Sequence, residues 1–393
     1  MYKNRYSESS RSSRSSRSSR SSGNKKRQKY DRLCSHCYSS DKTYLDIDCK
    51  TYFNDNTDLE YKESDKDTHI PDLNDYLNQR NSLFHKLINY SLDIEKKDCI
   101  KIDSDNNKLL INDEIIKLSN IEISKYISTG CYGIIFVSSK NEGIKYVIKF
   151  IKKNDENQNE IKAMINIRNN NINKIPNYIN IVNYHLDCNS IQNNTNQILV
   201  GINSCFKSDS YAMIILEYFD GNIFDLLNEI YPLLPITKSI TNTDIFYSIF
   251  AQLLLSIYLF HNKFNYYHKD AHLKNFLYKK VNVNEPEVYL HYKINDINYY
   301  IKNCGYIVVL ADYGLSTEIT EPSNNNLLFE DYEDIICKLF SYNKKIEHLK
   351  DIKTNFIKSS FDESSFLDKI MEKYLCIKKE KNGITLINEK SYE

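Results

Sequence analysis

Apolar residues first recur at helical spacing over residues 72–92, at Leu73, Tyr76, Leu77, Leu83, Phe84, Leu87 and Ile88, which predicts an amphipathic helix. From Cys99 the period changes. Ile100, Ile102, Leu109, Leu110, Ile111, Ile115 and Ile116 mark short strands, with a turn over 103–107. Residues 121–127 predict a further strand that runs into a glycine-bearing turn and then into 134–137; residues 146–151 form the next. Residues 154–200 are rich in Asn, and only the stretch 160–167 reads as helix, with loop after it. Residues 212–216 read as a buried strand and 245–261 as a strongly buried helix. From 331 onward the pattern is helical and rather polar. Strands first and helices later predict an α+β chain with two lobes.

Composition sharpens this picture at the ends. The 393 residues are 41% hydrophobic and 26% charged, enough for a sizeable core and against wholesale disorder. Lys+Arg and Asp+Glu are both 52, but residues 1–33 hold eleven Lys/Arg and two acids, a net of +9. The remainder is therefore net −9, which disfavours a globally basic nucleic-acid binder and leaves a basic arm. Within that arm residues 11–22 repeat Arg-Ser-Ser and hold nothing that builds a core, so disorder is expected. A solvated tail is the plainer reading of it; an arm for an acidic protein or nucleic acid is the functional one.

The ten cysteines are scattered, and only Cys34 and Cys37 are closely spaced. No disulfide framework is expected, and a reducing compartment fits. Cys34, His36, Cys37 and Cys49 lack the second close pair that a structural zinc site usually has. The most apolar stretch, 249–260, is short for a bilayer span and contains Gln252. With a polar N-terminus, the expectation is a soluble, intracellular chain without membrane partners.

Four stretches carry chemistry. Ser128-Thr129-Gly130-Cys131-Tyr132-Gly133 lies between two predicted strands, where glycines let backbone N–H groups approach a polyphosphate. A hairpin turn needs glycine too, so alone this stretch is ambiguous. Lys149 interrupts an apolar strand, where a charge is costly without a partner. It reads equally as a phosphate contact or an outward-facing lysine, and Glu160 on the next helix is a candidate partner. The segment from Tyr267 to Leu277 follows the buried helix and carries His268-Lys269-Asp270, with Asn275 five residues after the Asp. An apolar strand over 308–311 then ends in Asp312-Tyr313-Gly314. Two carboxylates and an amide there can offer oxygen ligands to Mg²⁺ and face a nucleophile.

In this order, over roughly residues 115–345, the chain resembles the eukaryotic-type protein kinase family. The hinge-like Leu216-Glu217-Tyr218-Phe219 and the helix before the Asp270 loop occur in family order too. The insertion over 291–306 is most similar to those in kinases of giant, mimivirus-like DNA viruses, which would place the protein in the host cytoplasm or the virion. The resemblance implies a bilobal fold: an N-terminal extension over 34–114 and a kinase-like domain over 115–393, divided near 216–220. It implies ATP with Mg²⁺ or Mn²⁺, held by Ile127, Ser128, Gly130, Gly133, Ile135, Lys149, Glu217 and Phe219. Asn275 and Asp312 would bind the metal. Asp270, Lys149, Glu160 and His272 would serve catalysis, with His272 meeting the γ-phosphate. A protein hydroxyl would be the acceptor.

Several positions depart from the family pattern. Ser128 replaces the first loop glycine, Lys269 the usual Arg, His272 a Lys and Tyr313 a Phe. No Ala-Pro-Glu follows, and Asp331 and Asp334 come soon after, so the segment that receives a peptide looks short. A pseudokinase scaffold and a kinase-like small-molecule phosphotransferase are the rival readings.

Overall fold

The computed structural model describes residues 70–88, 99–103, 108–111, 121–129, 133–138, 145–152, 155–171, 175–189, 196–206, 210–233, 242–283, 288–294, 297–320, 324–342, 361–371 and 385–386. All belong to the compact unit Leu45–Glu393. The basic arm, the Cys34–Cys37 pair, Ile115, Ile116 and the loop tip Gly130-Cys131-Tyr132 lie outside the described residues.

Helix α1 (Leu73–Ile88) and the antiparallel hairpin β1 (Ile100–Asp103) and β2 (Lys108–Ile111) come first, where the apolar periods placed them. Next come β3 (Ile123–Thr129), β4 (Gly133–Ser138), β5 (Tyr146–Lys152), helix α2 (Asp155–Asn170), β6 (Ile181–Asn189), helix α3 (Gln197–Phe206) and β7 (Ser210–Glu217). The five strands form one antiparallel sheet in the order β3-β4-β5-β7-β6. Side chains alternate across its two faces. Ile134, Phe136, Ile148, Phe150, Met213 and Ile215 share one face and pack with Ile100, Leu109 and Ile111 of the hairpin and Ile198, Leu199 and Ile202 of α3. Lys149, Ile151, Ile214 and Leu216 share the other, which faces the rest of the molecule.

The second lobe is built on α5 (Asn242–Asn262), which follows α4 (Ile223–Leu233). Leu253, Leu254, Leu255 and Ile257 of α5 are wholly buried, as in a core helix that is apolar on all sides. By length and composition α5 could cross a membrane, but 89% of its apolar window is buried inside the protein. Around it lie α6 (Asn325–Tyr342) and α7 (Glu363–Ile370), the latter N-capped by Asp362. The chain is thus α+β, with the bilobal arrangement that the resemblance implies. In its described part, the stretch expected as an N-terminal extension joins both cores, through Leu73 and Leu77 in one and Ile100, Leu109 and Ile111 in the other.

Three expectations are corrected. Residues after 167 are not loop throughout: β6 and α3 lie there. Asn183 and His185 of β6 are buried beside Ile181 and Val182, so polar residue types hid a strand whose packing overrides them. The helical half also holds strands. These are β8 (Gly221–Asn222), β9 (Tyr266–Tyr267), β10 (Phe276–Lys280), β11 (Val288–Ile294), β12 (Ile297–Lys302), β13 (Tyr306–Leu310), β14 (Thr317–Glu318) and β15 (Thr385–Leu386). The insertion is the hairpin β11–β12, with β15 added in parallel, and Tyr299 and Tyr300 are buried in it. Finally, Cys99 and Cys188 form a disulfide with Cα atoms 5.6 Å apart, tying the β1 end to β6. At 89 residues' separation no spacing rule could have paired them.

Candidate active site

Lys149 lies mid-strand on the sheet face opposite the hairpin core, and its side chain is buried. An ammonium there needs counter-charges. Its Nζ donates to Glu160 Oε1 of α2 at 2.6 Å and to Asp312 Oδ1, just beyond β13, at 3.1 Å. Burial alone would lower the Lys149 pKa; Asp312 and Glu160 more than offset it and raise it above its ordinary value. Burial pushes the Glu160 carboxyl up, with Lys149 working against it. For Asp312, lost hydration works upward, but Lys149 outweighs it and holds the carboxyl below its ordinary value. Glu160 is closed off, whereas the Asp312 side chain is 41% exposed. Of the two readings left open for Lys149, the outward-facing lysine is excluded.

Asp312 has a left-handed backbone, φ 61°, and so does Lys269, φ 64°. Non-glycine residues rarely adopt this conformation, and they persist in it where the surroundings over-determine them. Around Asp312 the determinants are clear. Its strand pairs with β10, Ala311 N donates to Asn275 O at 2.9 Å, and the Tyr313 ring stacks on Phe260 at 5.3 Å. Around Lys269 the fixing group is Asp331 of α6, whose carboxylate accepts from His268 N at 2.7 Å and Lys269 N at 2.6 Å. His268 Nε2 donates to the Ala311 carbonyl at 3.1 Å, so the two loops are joined.

Asp331 is itself held from below. His261 Nε2 donates to its Oδ2 at 2.9 Å and His261 Nδ1 donates to Glu363 Oε1 at 2.5 Å. Both ring nitrogens face carboxylate oxygens, which favours the imidazolium. Burial works to lower its pKa, but the two carboxylates raise it to about 9.

Asp270 and Asn275 are joined: the Asn275 amide nitrogen donates to Asp270 O at 2.9 Å and to Oδ2 at 3.1 Å. His272 Nε2 stands 3.7 Å from Asp270 Oδ2. Desolvation raises the Asp270 carboxyl above its ordinary value, with His272 and His268 opposing. A carboxylate so poised suits proton acceptance better than a fully hydrated one. With the Asn275 nitrogen committed, its Oδ1 and the Asp312 carboxylate are oxygen donors for a hard cation. Two such donors suit Mg²⁺, which keeps waters and phosphate oxygens for the rest of its shell. Among the described residues no cluster of three His, Cys, Asp or Glu makes an all-protein metal cage.

Of the residues expected around a nucleotide, Ser128 faces Ile135 across β3–β4, and Ile135 faces Lys149 across β4–β5. Ile127 is an exposed apolar side chain at the end of β3. Gly133 begins β4 where a Cβ would come 2.5 Å from the Phe150 carbonyl oxygen, so only glycine fits. Glu217 and Phe219 do not present their side chains to a ligand. The Glu217 carboxylate is bound by Arg80, and the Phe219 ring is buried in the large core. What Glu217 and Phe219 have left to offer is backbone.

Asp331, His261 and Arg80 were not among the expected site residues. Asp331 stands in the apolar stripe of α6, between Leu328 and Ile335, and Arg80 in that of α1, after Leu73 and Leu77. A charge at a core position of a helix is the signal that points to each.

No family model matches the chain. A probable serine/threonine-protein kinase, 380R, of Invertebrate iridescent virus 6 is 29% identical over 77 residues, which take in 20% of this chain and 14% of that protein. Among solved structures the BubR1 kinase domain aligns at 16% identity with a TM-score of 0.35, covering 63% of this chain and 60% of that one. The chain therefore covers less than two thirds of the length of either. The viral match supports a kinase-like chain.

Proposed function

We propose that the chain is an ATP-dependent protein serine/threonine kinase. The observation that carries this reading is Lys149 Nζ bridging Glu160 and Asp312, from two lobes, in one ion-paired cluster whose Asp312 end is open to solvent. Lys149 would contact the α- and β-phosphates. Asp312 and Asn275 would hold Mg²⁺, which when bound neutralises phosphate charge. Gly133 and the backbone of the loop before it would cover the phosphates, and Ile127 and Ile135 would border the base. Asp270 orients the acceptor hydroxyl and takes its proton. The hydroxyl oxygen bonds to the γ-phosphorus as the bond to the ADP leaving group breaks. Catalysis of this kind is mostly positioning and charge stabilisation. His272, beside Asp270, would meet the γ-phosphate.

The iridovirus match agrees with a Ser/Thr acceptor and with a viral source. The basic arm stands as a proposed tether for an acidic partner. The test is transfer of radiolabelled phosphate from ATP to a generic protein substrate by the full chain, with and without Mg²⁺, for wild type and Asp270→Asn. Wild type should transfer only with the metal, and Asp270→Asn should lose about 10²–10⁴ in turnover while still folding. Nucleotide binding without turnover would make the chain a scaffold instead.

A further inference from the structure

Arg80 stands two turns into α1, outside the span that resembles a kinase, yet its guanidinium is spent on the edges of the cleft. Nε donates to Glu217 Oε1 at 2.9 Å and Nη2 to Glu217 Oε2 at 3.0 Å. Nη1 donates to the Pro176 carbonyl at 2.8 Å, and Nη2 also to the Tyr178 carbonyl. This is the two-pronged grip on a carboxylate that a planar guanidinium makes and an ammonium does not. Glu217 ends β7 in the hinge-like segment, and its carboxylate also accepts from Asn180 N at 2.9 Å. The segment 176–180 also grips the metal-side strand. Leu310 N donates to Asn177 O at 2.7 Å and Ile179 N to Leu310 O at 3.1 Å, two residues before Asp312. Arg80 therefore touches the hinge on one side and, through 176–180, the strand that delivers Asp312 on the other.

Helix α1 is seated to make this reach. Asp72 Oδ1 accepts from Asn74 N at 2.7 Å, Asn282 N donates to the Pro71 carbonyl at 2.8 Å, and Leu73 and Leu77 are buried in the large core. A buried ion pair adds little net stability compared with apolar groups of the same volume, so geometry is the better account of what this one supplies.

We propose that Arg80 is a positioning residue of the nucleotide cleft, through which α1 holds Glu217 and the segment 176–180 in the geometry that accepts ATP. The proposal rests on the phosphotransfer reading above and adds to it a dependence on a helix outside the kinase-like span.

The test uses the full chain with Arg80→Met, Arg80→Lys, Glu217→Gln and Arg80→Met/Glu217→Gln. Ile202→Ala, on α3 across the sheet from the cleft, is a stability control. Affinity for a fluorescent ATP analogue with Mg²⁺, KM for ATP, kcat and Tm are measured. Arg80→Met should raise Kd and KM about tenfold or more, with kcat at saturating ATP falling less than about threefold. Arg80→Lys should lie between it and wild type. Glu217→Gln should shift KM in the same direction, and the double variant should be no worse than Arg80→Met within about twofold. Ile202→Ala should lose Tm without moving KM.

A folded Arg80→Met with wild-type Kd and KM overturns the proposal, as does an equal rise in KM in Ile202→Ala at matched loss of Tm. If Arg80→Met does not fold, unchanged KM in both Arg80→Lys and Glu217→Gln overturns it. A wild-type chain that neither binds nor turns over ATP overturns the phosphotransfer reading and this proposal with it. Wild-type turnover with indifferent Arg80 variants overturns this proposal alone.

Discussion

The cleft and the underside of the Asp270 loop each hold one cation between two carboxylates. In the cleft Lys149 lies between Glu160 and Asp312; below the loop His261 lies between Asp331 and Glu363. The lower cluster is closed. Its acceptors are taken by His268 N, Lys269 N, the Tyr332 hydroxyl and the Asn262 amide, and the His261, Asp331 and Glu363 side chains are nearly buried. The upper cluster is closed at Glu160 and open at Asp312. Similar charges thus do different work: where every carboxylate oxygen has a protein partner the cluster fixes backbone, and where one carboxylate meets solvent it can meet a ligand.

The sharpest way to break this comparison is to remove each centre in turn. Lys149→Met should cut phosphate transfer by about 10³ or more, because the cleft loses its buried cation, with a smaller effect on folding. Transfer assays beside thermal melts decide it; a variant that unfolds but retains specific activity would reverse the roles. Asp331→Ala should do the opposite and destabilise the chain by about 3–5 kcal/mol, since His261 is left charged and half-partnered. Denaturant titration reads this directly, and an unchanged midpoint would show that the lower cluster is dispensable. Glu160→Gln keeps the shape and removes one charge, so turnover should fall by about 10² with the fold intact. Wild-type kinetics in that variant would mean that the 2.6 Å pair is not used.

Much of this was legible in the chain. Lys149, Glu160, Asp270, Asn275 and Asp312 could be listed because they recur in one order, and apolar period alone placed α1, β1 to β5, α2 and α5. The misses have physical causes. The Asn-rich β6 buries polar types whose pattern imitates loop. The hairpin β11–β12 depends on packing against α5 and α7, as in the Tyr299 hydroxyl bond to Asp368 at 2.6 Å, which no local window contains. The Arg80–Glu217 and His261–Asp331 pairs join residues 137 and 70 positions apart. A charge in an apolar stripe announces that a partner exists without saying where.

The smallest effect separates the clusters by pH. The folded His261 pKa is about 9, above its ordinary value of 6.5, because the two flanking carboxylates favour the imidazolium. A raised pKa contributes stability that is fully present below pH 6.5 and is lost as pH rises through about 9. At 1.36 kcal/mol per unit, the contribution should fall by about 2 kcal/mol between pH 6.5 and 8. His268 shifts the other way, lowered by burial, and so titrates below this window rather than within it. The measurement is unfolding free energy against pH for wild type and His261→Gln. Wild type should lose stability across the window, and the variant, less stable at pH 6.5, should show a flatter slope. Lys149 and Asp312 should not contribute, because the Lys149 pKa is raised above its ordinary value and the Asp312 pKa held below its own. Equal slopes in the two proteins would mean that His261 does not carry the proton the geometry gives it, and the closed cluster would then be a neutral hydrogen-bond network rather than an ionic one.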